Sequence, residues 1–171
     1  VCLNVGCIPT KVLLRHAEVA SLVSRHAKAF GLPDGVTADF RAAHERSRSV
    51  AEGRIKGVHY LMKKNGIRQF AGRGSFTSDT SLTVTTADGP IADITFERAI
   101  IATGSEIRNL PGVKLGERVT GYIEAVLSET MPDSLVVIGA GPIGIEFACV
   151  AASFGSSVTV LEYQDRILPA E

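Results

Sequence analysis

The chain has 171 residues, 45% of them apolar, and its 18 basic side chains balance 18 acidic ones. That composition predicts a globular protein with a buried core, and the zero net charge argues against nucleic acid, an anionic membrane or any strongly charged partner. No apolar run reaches the roughly 20 residues that cross a bilayer, and three cysteines are too few for a disulfide-scaffolded secreted domain, which favours a cytoplasmic setting.

The first stretch, VCLNVGCIPTK, sets Cys2 and Cys7 five positions apart and follows them with Pro9 and Lys11. Pro9 suits the first turn of a helix, and Leu13, Ala17, Ala20, Val23, Ala27 and Phe30 then recur at helical spacing until Gly31 and Pro33 end it. Asp39 is placed to cap a second helix through Phe40, Ala43, Val50, Ile55, Val58 and Leu61, with Asn65-Gly66 as its stop. Gly53 and Gly57 each weaken that helix by up to about 1 kcal/mol relative to alanine. Close packing against a neighbour would account for them.

From Ile67 the pattern changes to short β-branched and aromatic segments, IRQFAGRGSF, SLTVTT and ITFERAIIATG, the last two joined by an Asp88-Gly89 turn signal. They predict a small sheet. Pro111-Gly112 marks a composition shift and divides the chain into expected domains 1–112 and 113–171. A short helix near 122–128 precedes a compact strand, turn, helix and strand. The strand Ser134–Ile138 reads as buried, the helix covers 143–154 with Gly155 as its cap, and the second strand covers 158–161. Cys149, among Phe147, Val150 and Ala151, reads as a small buried residue.

Between that first strand and its helix lies Gly139-Ala140-Gly141-Pro142-Ile143-Gly144, a G-x-G-x-x-G in the position its mechanism requires. The first glycine permits a tight turn, the second lets a diphosphate approach the backbone, and the third lets helix pack on strand. The free N–H groups and positive dipole of the helix start would hold the anion. Glu162 stands 23 positions after Gly139, close to the usual place of the acid that accepts from an adenosine ribose. A carboxylate there repels a 2′-phosphate, so NAD is favoured over NADP, although Arg166 nearby complicates that preference.

The cysteine pair admits three readings. A metal site is disfavoured because the third cysteine is distant and His16, His26, His44 and His59 show no paired ligand spacing. A structural staple would close a tiny loop and stabilise little. A redox pair explains more: Cys7 lies just before the helix opened by Pro9, where the positive end would stabilise a thiolate, and Cys2 is freer to meet a substrate sulfur. Lys11 would add a fixed positive charge.

At this point CLNVGCIPTK resembles the redox-disulfide motif of the pyridine nucleotide–disulfide oxidoreductases, and the similarity continues through AIIATGS, VVIGAGPIGIEFA and LEYQDRILPAE, covering the whole chain. The resemblance implies an α/β fold of Rossmann-like FAD/NAD(P)-binding domains, three-layer ββα in type, with a small antiparallel β segment. It implies a flavin-dependent enzyme that oxidises dihydrolipoamide to lipoamide with NAD as acceptor, on a 2-oxo acid dehydrogenase complex; mercuric and glutathione reductases carry related motifs. Cys2 would be the interchange thiol and Cys7 the thiol facing FAD, with Lys11 beside the flavin and paired with Glu146. Gly74, Ala102, Thr103 and Gly104 would contact FAD; Gly139, Gly141, Pro142, Ile143, Gly144 and Glu162 would contact NAD. No metal is implied.

Members of the family also have an FAD-binding G-x-G-x-x-G ahead of the cysteines, a second flavin segment, and a dimer-interface domain with a His–Glu pair acting across a homodimer. This chain begins at Val1 and stops after RILPAE. The expectation is an internal piece of such an enzyme, inactive by itself. A non-catalytic nucleotide-binding module is the rival of a different class.

Overall fold

The computed structural model describes residues 1–168 and forms two units, one made of residues 1–55 with the stretch from Glu106 onward, the other of Lys56–Ser105. The first unit opens with a single helical turn, α1 (Cys2–Val5), and a long helix, α2 (Cys7–His26), extended by a tight 3-10 turn over Ala27–Phe30. Helix α2 buries Pro9, Thr10, Leu13, Ala17 and Ala20, the face that the spacing marked. Gly31 ends the run at φ 68 and donates its N–H to Lys28 O, a conformation glycine adopts without steric penalty.

Helix α3 (Phe40–Lys64) starts where Asp39 Oδ1 accepts the Arg41 N–H at 2.9 Å. It ends where Gly66 turns to φ 66 and Ile67 N–H reaches Met62 O at 2.9 Å. Gly53 and Gly57, however, have open space around them, since a Cβ at either would meet nothing within 4 Å. The packing expected of them is absent among the described residues.

Leu13 and Ala17 of α2, Phe40 and Ala43 of α3, Val126 of α4 (Tyr122–Leu127) and Val150 of α5 (Pro142–Ser153) form one core, with Val5, Leu14, Phe147 and Phe154 packed around it. Phe40 meets Phe154 edge to face with ring centroids 5.2 Å apart, the geometry that aligns a positive ring edge with a negative face. Truncating a buried residue such as Leu13, 1% exposed, costs about 2–5 kcal/mol. One core therefore holds the cysteine helix against the helix of the glycine turn.

In the same unit β4 (Ser134–Ile138) pairs in parallel with β5 (Ser157–Leu161), from Ser134 opposite Ser157 to Ile138 opposite Leu161. Strand β4 is not buried on both faces as expected. Val136 and Ile138 are 59% and 56% exposed, whereas the alternate positions Leu135 and Val137 are partly covered. A pleated strand sends successive side chains to opposite faces, and α5 packs against this sheet.

The second unit is a three-stranded antiparallel sheet: β1 (Arg73–Ser78), β2 (Ser81–Thr86) and β3 (Gly89–Thr95). Its turn at Asp88-Gly89 has Gly89 at φ 113. Strand β1 starts at Arg73 rather than near Ile67. The segment containing AIIATGS is not a strand, because none of the sheets includes it, and Ile100 and Ile101 are 94% and 73% exposed. A strand exists only where neighbouring backbone completes its hydrogen bonds. No described helix is long and apolar enough to cross a membrane.

Candidate functional site

The cysteine pair is built by a break in a helix. Cys2 sits in α1, Cys7 is the first residue of α2, and Gly6 separates them. A Cβ on Gly6 would lie 3.0 Å from Cys2 Cα and 3.1 Å from the Val1 carbonyl oxygen, so glycine lets the two turns fold this close without displacing backbone. Thr10, 5% exposed, secures the junction: its hydroxyl donates to Gly6 O at 2.8 Å and its N–H reaches the same oxygen at 3.1 Å. Both thiols are free and exposed.

The Cys7 thiol is pushed up from its ordinary value, first by its hydrogen bond with Cys2, then by partial desolvation and the Cys2 charge. Its own backbone N–H and Lys11 act in the opposite direction. The expected thiolate-stabilising groups are present but outweighed, because a neighbouring thiol favours the neutral form more than the helix start favours the anion. The helix also begins at Cys7 itself rather than after it.

Lys11, one turn into α2, ion-pairs with Glu146 on α5, 135 positions away in sequence. The lysine side chain is 60% exposed and the glutamate 25%. A pair this open to solvent contributes at most about 1 kcal/mol to stability. Its clearer effect is positional, since it fixes an ammonium group near the start of the cysteine helix.

The glycine turn joins β4 to α5. Gly139 has φ 102, and a Cβ on Gly144 would sit 2.1 Å from Gly139 O and 3.2 Å from Val137 Cγ1. A Cβ on Gly141 would meet nothing within 4 Å. The first glycine thus makes the turn, the third lets α5 pack on β4, and the second faces open space. Gly141 is also the N-cap of α5 with no side-chain cap hydrogen bond, and Pro142 and Ile143 begin the helix. An N-terminus left in this state is suited to an anion.

Glu162 closes the turn from the far side. Its Oε2 accepts the Ala140 N–H at 2.6 Å and its Oε1 the Gln164 N–H at 2.9 Å. These backbone donors, Gln164 first and then Ala140, hold its carboxyl below the usual range. Leu168 N–H donates to Ala140 O at 2.9 Å, so both backbone groups of Ala140 are engaged.

The structure does not bring every expected residue into this unit. Gly74, Ala102, Thr103 and Gly104 belong to the second. Gly74 lies in β1 opposite Val84, and a Cβ there would touch only Leu82 Cδ1, at 3.9 Å. Ala102, Thr103 and Gly104 are exposed, with Gly104 at φ 90. Cys149, expected to be buried, is exposed. Helix α5 is apolar nearly all round, and Ala148, Val150 and Ala151 take its buried face.

The whole chain, residues 1–171, matches the family described as pyridine nucleotide-disulphide oxidoreductase. The chain belongs to that family. Its members are oxidoreductases, and the matching domain binds FAD and NAD(H). The dihydrolipoyl dehydrogenase of Mycobacterium tuberculosis (strain H37Rv) is 49% identical over 171 residues, all of this chain and 37% of the relative. That of Corynebacterium glutamicum is 46% identical, again over the whole chain and 36% of the relative. Among solved structures, LpdA from M. tuberculosis superposes with a TM-score of 0.86 at 25% identity, covering 98% of this chain and 37% of that one. The HOCl-induced flavoprotein disulfide reductase RclA from Escherichia coli gives 0.77 at 31% identity, covering 99% and 35%. The chain thus spans little more than a third of the length of these relatives.

Three contributors to the site escaped the sequence reading. Gly6 was visible only as a glycine between two cysteines; Thr10 looked like an ordinary helical threonine. Arg48 of α3, which donates to Asn4 O at 2.8 Å across 44 residues, left no local signal.

Proposed function

We propose that this chain carries the dithiol and the opening of the pyridine-nucleotide site of a flavin-dependent disulfide oxidoreductase that oxidises dihydrolipoamide with NAD. The observation that carries the reading is the pair of free, exposed thiols Cys2 and Cys7 on the two sides of Gly6, at the head of a helix tied through Lys11 to Glu146 on the glycine-turn helix. The relatives at 46–49% identity named dihydrolipoyl dehydrogenase support the choice of substrate. Residues 1–112 would belong to the FAD domain and 113–171 to the NAD domain. The enzyme would be a cytoplasmic homodimer serving a 2-oxo acid dehydrogenase complex.

The residues present fit both groups. Open space over Gly141 and the uncapped start of α5 suit a dinucleotide diphosphate, and the Glu162 carboxylate disfavours a 2′-phosphate. The exposed Cys7, whose thiolate the Lys11 ammonium favours, suits an electron-accepting ring that gains negative charge. Bound FAD supplies two-electron acceptor chemistry, and NAD the final acceptor of hydride.

The chain's own part is thiol exchange. With Cys2 and Cys7 oxidised to a disulfide, a dihydrolipoamide thiolate attacks Cys2 Sγ, the Cys2–Cys7 bond breaks, and Cys7 leaves as a thiolate. The second substrate thiol then attacks the substrate sulfur of the mixed disulfide and releases Cys2. The products are lipoamide and the reduced pair. Lys11 acts by favouring the Cys7 anion, countering part of the upward influence of Cys2.

The test is turnover of the full-length protein with dihydrolipoamide and NAD, compared with NADP and with glutathione or mercuric substrates. Cys7→Ser should abolish lipoamide turnover while flavin stays bound. Retained turnover in that variant, or a preference for NADPH with glutathione disulfide, would refute the proposal.

A further inference from the structure

We propose that Arg48 is a positioning residue for the Cys2–Cys7 couple, acting by pinning the turn that carries Cys2; this rests on the redox reading of the pair. Turn α1 is short and open: it has four residues, none buried, and no side-chain N-cap, and its Val5 N–H reaches Val1 O at 3.0 Å. Only Val5 packs on the core. Gly6, which follows, is held by Thr10 only through its carbonyl oxygen, on the α2 side of the junction. A second tether is needed to keep Cys2 facing Cys7.

Arg48 supplies that tether. It is partly buried on α3, and its Nη1 donates to Asn4 O at 2.8 Å. Glu45 and Glu52 stand about one turn away on either side of it along α3, and the three residues share the lining of a cavity of about 350 Å³. The guanidinium nonetheless reaches another element. It meets the C-terminal end of α1, where carbonyls lack helical partners and a cation is favoured. A charge-assisted hydrogen bond of this kind is stronger than one between neutral groups. Since α3 is anchored in the core by Phe40 and Ala43, Asn4 is fixed to a rigid support.

The consequence is a higher effective concentration of one thiol at the other, which favours the disulfide. When glutathione disulfide oxidises the pair, Cys2 and Cys7 together lose two hydrogens and two glutathione thiols form, so the equilibrium constant reads that concentration directly. Full-length protein is equilibrated in glutathione buffers, quenched with an alkylating agent, and the Cys2–Cys7 peptide is measured by mass. Arg48→Met keeps length but removes charge and donors; its constant should fall at least fivefold, a rise of about 20 mV in midpoint potential given about 30 mV per tenfold. Arg48→Lys, which can still donate to Asn4 O, should stay within twofold of wild type, as should Arg41→Met, which alters a neighbouring arginine. An Arg48→Met constant within twofold of wild type, or a lysine variant as impaired as the methionine one, overturns the proposal. If wild type forms no Cys2–Cys7 disulfide at any ratio, the redox reading itself has failed.

Discussion

Gly141 and Gly144 lie three residues apart in one turn, and the geometry assigns them opposite jobs. In Gly144→Ala the new Cβ would sit 2.1 Å from Gly139 O, far inside contact distance, with Val137 Cγ1 at 3.2 Å. Backbone must move, because the obstructing atom is a carbonyl rather than a flexible side chain. Overpacking of this type costs about 1–3 kcal/mol. Gly141→Ala meets nothing within 4 Å, and φ −72 is open to alanine. Folding stability should change by less than about 1 kcal/mol, since alanine restricts the unfolded chain but is a poorer N-cap than glycine. The same methyl, however, occupies the space through which a diphosphate would reach the N-terminus of α5. Loss of one charge-assisted hydrogen bond, about 1.5–3 kcal/mol, corresponds to roughly a ten- to hundredfold weaker NADH dissociation constant. Urea denaturation and NADH titration of both full-length variants provide the assay. The reasoning is refuted if Gly141→Ala loses as much stability as Gly144→Ala, or keeps wild-type affinity for NADH.

Two other outcomes follow from the same geometry. Gly6→Ala places a methyl 3.0 Å from Cys2 Cα; it should displace Cys2 and cut lipoamide turnover at least tenfold with little change in NADH affinity, checked by steady-state kinetics. The Glu162 carboxyl is held low by backbone donors, so its folded value lies below the unfolded value of about 4.3. Its contribution is complete above the unfolded value and is lost as pH falls through the folded one. The stability advantage of wild type over Glu162→Gln should therefore hold at pH 6–8 and shrink below about pH 4, read from denaturation midpoints.

The parts of the fold legible in the sequence are those fixed by local chemistry. Asp39 had to cap something, and Gly31 and Gly66 take positive φ where the apolar period stops. The glycine turn was legible because three glycines at set intervals answer three separate steric demands. What stayed hidden depends on neighbours far along the chain. The exposure of Cys149 could not be read from a helix whose sequence is apolar on almost every side. The segment around Ile100 and Ile101 has strand composition but no strand beside it. The upward shift of Cys7 depends on how closely Cys2 approaches, and Gly6 determines that approach. Arg48 meets Asn4 only once α3 has packed.

The central claim is that Cys2 and Cys7 form a couple that cycles between disulfide and dithiol. Peptide mapping of the full-length protein tests it most directly, with alkylation before and after anaerobic addition of NADH. The account predicts an air-oxidised peptide two hydrogens lighter and unalkylated, which takes up two alkyl groups after NADH while Cys149 takes up one in both samples. Alkylation of Cys2 and Cys7 in equal measure before and after NADH would contradict it.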